Sequence, residues 1–185
     1  HKDSVHIAFD MFKESVDCQG ASSSASVLSG YYVTSFYSMK KINKIDKEAG
    51  ADRKIKMLTD YLMLMDYCNE AISNAEASEN SRNLKGYTKA KENIEKTFIA
   101  IAKCDEMVPV LQTSIDSNPD DIDLKRKVLS LLVNRECTEN NLFIPVATAV
   151  YDIEPSAEAA YAIGMGYAKQ SKFSESFKYM EEAVM

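Results

Sequence analysis

Histidine and cysteine, two residue types that often bind metals or take part in catalysis, are few in this chain. Its two histidines, His1 and His6, lie five positions apart and do not share a helix face. A metal-binding or catalytic histidine pair is therefore not indicated. The four cysteines form no Cys-x-x-Cys pair and have no histidine nearby; they are Cys18, Cys68, Cys104 and Cys137. Neither a zinc site nor a thioredoxin-like redox motif is predicted.

Two of the cysteines are placed where they could form a structural crosslink. Cys104 lies near a predicted helix start, and Cys137 lies in a predicted turn thirty-three residues later. In an oxidising compartment the pair could form a disulfide, whose loop closure would be worth roughly 3–4 kcal/mol. The alternative is two free thiols. Cys68 lies on an apolar helix stripe and is assigned to the core, whereas the sequence leaves the role of Cys18 undecided.

An acidic group, Asp120, Asp121 and Asp123, follows Pro119. Carboxylates at the start of a helix favour the positive end of its macrodipole. A calcium-binding loop would also need a turn glycine and a distant glutamate, and this stretch has neither. The group is therefore assigned to a helix start and not to a metal site.

Sequence motifs of the common enzyme classes are absent. The chain has no nucleophile elbow, HExxH, P-loop or dinucleotide-binding glycine fingerprint. Gly164 and Gly166 lie inside a helical pattern, where they allow close approach of neighbouring helices. We therefore predict a protein that is not an enzyme and that uses no cofactor and no metal.

Composition and charge disfavour two classes of partner. The 185-residue chain is 45% hydrophobic and 27% charged, and its net charge is −6, with the basic residues scattered. Binding of DNA or RNA through phosphate neutralisation is therefore not expected. No apolar run approaches the ~18 residues that a membrane span needs. Because the chain begins at His1 and not at methionine, we expect either a processed protein or a recombinant product, from which any targeting segment has been removed.

Nearly every segment has the periodicity of an amphipathic helix. We predict helices at 4–17, 25–42, 52–77, 81–103, 120–135 and 156–170, with a polar loop at 43–51. The longest helix carries two apolar stripes. One consists of Ile55, Leu58, Leu62, Met65 and Ile72, and the other of Met57, Tyr61, Leu64, Cys68 and Ala71. Two stripes indicate two buried faces, as in a middle helix of a solenoid.

All four prolines lie in the second half of the chain, in a repeated layout. A proline, an aspartate and a second proline occur at Pro109, Asp116 and Pro119, and thirty-six residues later at Pro145, Asp152 and Pro155. Proline is tolerated in the first turn of a helix and just after its end. Each set is therefore predicted to bracket one of two equivalent helices, at a period typical of helix–turn–helix repeats of roughly 34 residues.

The last thirty residues resemble the consensus of the tetratricopeptide repeat (TPR), in which small and bulky residues alternate across two antiparallel helices. The matching positions are Ile163, Gly164, Tyr167, Phe173, Ser176, Met180, Ala183 and Val184. The sequence departs from the consensus at Ala160, Ser171 and Ser176, where tryptophan, glycine and alanine are common. Near the amino terminus the same frame is followed by Ala8, Phe12, Ser15 and Gly30.

This resemblance implies an all-α protein of about nine helices, with antiparallel helix pairs stacked as a right-handed TPR-like α-solenoid. We expect an irregular helical repeat region at 1–103 and TPR-like repeats at 104–185, in one continuous solenoid. Residues 90–185 are also similar to a family of exported TPR-like proteins from Gram-negative anaerobic bacteria. That similarity rests on Cys104-Asp105, Asn118-Pro119-Asp120-Asp121, Glu136-Cys137-Thr138 and Glu154-Pro155-Ser156. It implies the periplasm or cell envelope, with the cytoplasm as the alternative, and it carries over no functional residues.

TPR-like arrays bind proteins or peptides on a concave face that is lined by the first helix of each repeat. The partner-binding candidates are Glu158, Tyr161, Met165 and Lys169 in the last repeat, and Val27 and Tyr31, flanked by Ser24 and Thr34, in the amino-terminal frame. For Tyr31 and Tyr161 the alternative is packing between repeats. The lysine and asparagine pattern of TPR clamps for carboxyl-terminal tails is absent. The predicted function is therefore a protein-interaction scaffold of the cell envelope, with an unidentified protein or peptide partner.

The alternative function is a structural spacer or self-association segment of a longer envelope protein. In this interpretation both ends of the chain are cut within an array. Tyr179, Met180 and Val184 are then expected to present apolar surface to a missing neighbour. Exposed terminal helices of this kind could pair in a homodimer.

Overall fold

The computed structural model describes residues 4–184, which form nine α-helices, one turn of 3-10 helix and no β-strand. The predicted all-α class and helix number are confirmed. By its internal contacts the chain divides into two compact units, His1–Lys103 and Cys104–Met185. Within the described range, no helix combines the length and apolar character of a membrane span.

The first unit contains four helices: α1 (Ser4–Gln19), α2 (Ala25–Ile42), α3 (Lys47–Ala77) and α4 (Ser81–Ile99). The helix α2 packs against each of the other three, and α3 and α4 pack against each other. Tyr61 of α3 stacks on Phe98 of α4 with ring centroids 3.7 Å apart. Because Phe98 and its neighbour Ile94 are buried, each contributes roughly 1.5–3 kcal/mol through removal of apolar surface from water.

The long helix α3 begins at Lys47, five residues before its predicted start. Asp46 caps it, because its carboxylate accepts a hydrogen bond of 3.0 Å from the Ala49 amide. Gly50, assigned from the sequence to a loop, lies inside the helix. A Cβ at Gly50 would lie 2.7 Å from the Asn43 Cα at the end of α2. The glycine therefore marks a close approach of two helices, and the predicted loop is wrong from residue 47 onward.

Of the two apolar stripes predicted on α3, the structure buries one. The buried stripe is Met57, Tyr61, Leu64, Cys68 and Ala71. In the other stripe Leu58 is buried and Ile55 is exposed, and the remaining members, Leu62, Met65 and Ile72, are half-buried. The helices α2 and α4 contact each other as well as α3, so both cover the same side of α3. The second face is therefore only partly buried, and the prediction of two buried faces is confirmed in full for one of them.

The second unit contains five shorter helices: α5 (Cys104–Ser117), α6 (Ile122–Asn134), α7 (Phe143–Ile153), α8 (Ala157–Lys169) and α9 (Phe173–Glu182). Each helix packs against the next one along the chain, and short connections make such neighbours antiparallel. Pro119 and Pro155 follow the ends of α5 and α7, as the proline register predicts. Pro145 lies in the first turn of α7, whereas Pro109 lies inside α5.

Two glycines let α8 pack closely against both of its neighbours. A Cβ on Gly164 would lie 3.0 Å from the Met180 side chain of α9. A Cβ on Gly166 would lie 2.7 Å from the Ile144 side chain of α7. A larger residue at Gly166 would force Ile144 to shift, and one at Gly164 would require the Met180 side chain to give way. The role in helix packing predicted for these glycines is confirmed.

Candidate functional site

An open groove lies between α6 and α8 in the second unit. Both helices begin at capped residues: the Asp121 carboxylate accepts a hydrogen bond from the Leu124 amide, and the Ser156 hydroxyl accepts one from the Ala159 amide. Such caps satisfy backbone donors that the helix itself leaves unpaired. The groove consists of two depressions that share Val133 of α6 and Tyr161 of α8. We call the two depressions together the α6–α8 groove.

The first depression has a volume of about 520 Å³ and a largely apolar lining. Its apolar residues come from three helices: Leu129, Val133, Val150, Ala159, Tyr161 and Ala162. The small side chains of Ala159 and Ala162 leave room between α6 and α8. Its charged residues are Arg126, Glu154 and Glu158.

The second depression is larger, at about 980 Å³, and brings α5 and the turn after α6 to the groove. Its lining includes Val108 and Pro109 of α5 and Met165 of α8. Its charged residues are Asp105, Glu136, Glu139 and Lys169. The turn after α6 thus supplies a part of the groove that the α6 and α8 helices alone would not provide.

A disulfide between Cys104 and Cys137 lies in the lining of the second depression. The Cα atoms of the two residues are 5.5 Å apart. Of the two alternatives that the sequence left open for these cysteines, a disulfide or two free thiols, the structure has the disulfide. Just before Cys137, Glu136 has a φ of 56°, and the Cys137 amide donates a 2.8 Å hydrogen bond to the Leu132 carbonyl. This is a left-handed helix ending, and the disulfide ties it to the first residue of α5.

The charges around the groove are predominantly negative. The lining contains five carboxylates and two cations, an excess of three negative charges. Both cations are already paired: Arg126 with Asp123 and Glu154, and Lys169 with Glu139 at 3.4 Å. The remaining carboxylates, Asp105, Glu136 and Glu158, form no ion pair with any residue that the structure describes. They account for the excess of negative side chains in the lining of the groove.

All four candidates predicted in the last repeat line the α6–α8 groove. Tyr161 belongs to both depressions, Glu158 to the first, and Met165 and Lys169 to the second. Sequence reasoning missed the opposite wall, to which Val133 belongs. A signal was present, because five of the six residues at 128–133 are apolar, more than one helix face can bury. The last of these, Val133, is the one that the fold leaves 36% exposed.

The two candidates of the amino-terminal frame form no comparable surface. Tyr31 is only 4% exposed. Its ring stacks on Phe9 at a centroid distance of 5.6 Å, and its hydroxyl donates a hydrogen bond to Asp60. Tyr31 is therefore a core residue and unavailable to a partner, so the prediction that it binds one is wrong. The packing of α1 and α3 around α2 covers its ring. Val27 is half-buried in the first turn of α2.

Tyr31 and Asp60 belong to a buried polar cluster in the first unit. Burial, aided by the hydrogen bond to Asp60, raises the pKa of Tyr31 well above its ordinary value. Asp60 also accepts a 2.9 Å hydrogen bond from Lys56, and the Arg53 guanidinium lies 3.9 Å from the centre of the Phe9 ring. The cluster holds α1, α2 and α3 together, and Tyr31 and Asp60 at its centre are buried.

The one described histidine does not form a catalytic pair. His6 Nδ1 lies 3.1 Å from Ser38 Oγ, but Ser38 is fully buried and its hydroxyl cannot reach a substrate. His1, the other member of the histidine pair, lies outside the described residues. Among residues 4–184 no three histidine, cysteine or acidic side chains are grouped so as to hold a metal ion.

Comparison with known proteins gives no further guidance. No protein-family model matches the chain, and it matches neither a curated protein nor a solved structure. The resemblance to TPR proteins therefore remains a prediction from the residues quoted above.

Proposed function

We propose that the chain is a protein-interaction scaffold and that the α6–α8 groove binds a segment of a partner protein. The observation that carries the proposal is the exposed apolar pair at the centre of the groove, Val133 and Tyr161, which are 36% and 53% exposed. Met165 extends the apolar surface beside them. An apolar centre with a charged rim is typical of protein-binding surfaces, and tyrosine is enriched among the residues that contribute most to binding.

The order of the helices supports a TPR-like solenoid in the second unit. The helices α6, α7, α8 and α9 pack in sequence, and the glycines of α8 allow it to approach both α7 and α9. In a right-handed solenoid of helix pairs, α6 and α8 would be the first helices of successive repeats. First helices line the concave face, and a groove between α6 and α8 agrees with that arrangement.

The disulfide supports a location in the periplasm or cell envelope. Disulfides persist in oxidising compartments and are rare in the reducing cytosol. The Cys104–Cys137 bond forms part of the groove lining, so the proposed binding surface would assemble fully only where the bond can form. The scaffold is therefore proposed to act outside the cytoplasm.

Site-specific photo-cross-linking tests the scaffold function. A photoreactive phenylalanine analogue replaces Tyr161 in the full chain, and irradiation in a cell-envelope extract is followed by mass spectrometry. The matched control carries the same analogue at Phe177, an aromatic residue of α9 that is 64% exposed and outside the groove. We expect a partner that cross-links at position 161 and not at 177. Excess unlabelled wild-type chain should displace it, and excess Tyr161→Ala, Lys169→Ala chain should not.

Capture of the same proteins at both positions, or of none at position 161, would contradict the groove assignment. Displacement by the double variant as effectively as by the wild type would do so as well.

A second candidate function, self-association of a structural spacer, is favoured by one surface of α9. Phe173 and Phe177 lie one turn apart and are 70% and 64% exposed, and Val184 beyond them is also exposed. Two other residues predicted to be exposed here, Tyr179 and Met180, are half-buried, since Tyr179 stacks on Tyr167. Sedimentation that depends on protein concentration, and that Phe173→Ser, Phe177→Ser abolishes, would favour this function over the scaffold.

A further inference from the structure

The α6–α8 groove combines an apolar centre with carboxylates on both sides of it. Val133 and Tyr161 are common to the two depressions and so lie where they meet. Among the carboxylates without an ion-pair partner in the described chain, Glu158 belongs to the first depression, and Asp105 and Glu136 belong to the second. A ligand seated on the apolar centre would therefore meet negative charge in both directions.

The positive charges of the groove are already used by the protein itself. Arg126 pairs with two carboxylates and Lys169 with one. An acidic segment or a terminal carboxylate would have to displace these internal partners and would approach a surface with excess negative charge. A second copy of the chain is also a poor occupant, because its own net charge is −6 and like charges repel.

We propose that the occupant of the α6–α8 groove is a basic protein segment in which an apolar side chain is flanked on both sides by lysine or arginine. This inference rests on the proposed scaffold function and names the chemistry of its partner. The apolar side chain packs against Val133 and Tyr161. The flanking cations lie near Glu158 on one side and near Asp105 and Glu136 on the other. Complementary charge of this kind sets specificity and association rate more than it sets total affinity.

Direct binding of synthetic peptides to the full chain tests this chemistry. Three labelled peptides of equal length have the same leucine–tyrosine centre. This centre is flanked by lysine and arginine in the basic peptide, by serine in the serine peptide and by glutamate in the acidic peptide. Binding is followed by fluorescence anisotropy at low and high salt. We expect the basic peptide to bind about 10-fold more tightly than the serine peptide at low salt, and the acidic peptide to bind most weakly. High salt should reduce these differences, because exposed charges are screened.

Variants that lack carboxylates test whether the groove is the origin of the preference for the basic peptide over the serine peptide. The groove variant carries Asp105→Asn, Glu136→Gln and Glu158→Gln. The control variant removes the same number of carboxylates outside the groove, through Asp152→Asn, Glu175→Gln and Glu181→Gln; all three residues are exposed. Glu175 lies in the first turn of a helix, as Asp105 and Glu158 do, so the control variant carries part of the helix-dipole cost of the groove variant. We expect the groove variant to bind the basic and serine peptides within about 2-fold of each other, and the control to keep the wild-type preference.

The possible failures are distinguishable. Equal binding of the basic and serine peptides by the wild type, or an equal loss of preference in both charge variants, would overturn the basic-segment proposal. The scaffold would stand if Tyr161→Ala still weakened every peptide. Failure of all three peptides to bind would also overturn the basic-segment proposal, and the cross-link at position 161 would then decide on the scaffold separately. Melting temperatures and circular dichroism of each variant show whether it is folded.

Discussion

At the scale of single residues, two tyrosines with the same sequence assignment have opposite roles. Tyr31 and Tyr161 both occupy predicted groove positions, yet Tyr31 is buried and Tyr161 is 53% exposed. The difference arises from neighbours that are distant in sequence, because Phe9 and Asp60 meet the Tyr31 ring and hydroxyl. Helical spacing places a residue on a face but does not say whether a neighbouring helix covers that face. This is why the four candidates on α8 line the groove, whereas the two in the amino-terminal frame, Val27 and Tyr31, do not.

Substitution of the two tyrosines by phenylalanine should separate these roles. Tyr31→Phe removes a donor from the buried carboxylate of Asp60, so we expect the free energy of unfolding to fall by about 1–3 kcal/mol at neutral pH. Tyr161→Phe, the exposed control, should stay within about 0.5 kcal/mol of the wild type. Urea unfolding followed by circular dichroism measures both. A Tyr31→Phe variant as stable as the wild type would contradict the role given to this hydrogen bond.

The wild type and the Tyr31→Phe variant should also differ in their stability at alkaline pH. The ordinary pKa of tyrosine, 10, applies to the unfolded chain, and burial raises the pKa of Tyr31 in the folded state. A group whose pKa is higher in the folded state than in the unfolded state contributes to the free energy of unfolding. This contribution is complete below the unfolded-state pKa and is lost as the pH rises above it. The wild type should therefore lose stability more steeply than Tyr31→Phe above pH 10, so that the difference between them narrows. Parallel curves would contradict the pKa shift.

At the scale of helices, the sequence predicts the elements well and their contacts less well. Amphipathic periodicity located the helices of both units, and the prolines marked the ends of α5 and α7. The sequence did not reveal that α2 and α4 cover the same side of α3, nor that Gly50 belongs to a helix that approaches Asn43. A glycine signals a loop or a close approach equally well. Whether a second helix lies against the glycine, as the end of α2 at Asn43 does at Gly50, is known only from the fold.

Two glycine substitutions should have effects of opposite sign. Alanine favours a helix over glycine by roughly 1 kcal/mol. At Gly86 an added Cβ meets only the Ala25 Cβ, at 3.6 Å, so Gly86→Ala should stabilise the chain by about 0.5–1 kcal/mol. At Gly166 the Cβ would lie 2.7 Å from Ile144 and 3.0 Å from Phe143. Overpacking costs about 1–3 kcal/mol, so Gly166→Ala should destabilise the chain by about 1 kcal/mol. Thermal unfolding of both variants provides the test, and stabilisation by both would refute the close packing of α7 and α8.

At the scale of the whole molecule, each unit has its own core and its own cysteine chemistry. The second unit contains the Cys104–Cys137 disulfide, whereas Cys18 and Cys68 of the first unit are free thiols. Burial raises the pKa of the Cys68 thiol to about 11, so it stays protonated and unreactive at neutral pH. Reduction of the chain should therefore act on the disulfide of the second unit, and through it on the α6–α8 groove.

Removal of the disulfide should affect the two units unequally. In the full chain, Cys104→Ala, Cys137→Ala removes a constraint on a loop of thirty-three residues, which corresponds to roughly 3–4 kcal/mol of stability. Native-state hydrogen exchange reports local free energies along the chain. We expect faster exchange in α5 to α9, little change in α1 to α4, and weaker cross-linking of a partner at position 161. The control, Cys18→Ala, removes an exposed thiol and should alter neither unit. Equal acceleration in both units would mean that the chain unfolds as one cooperative body, and the disulfide would then stabilise the whole molecule and not the groove alone.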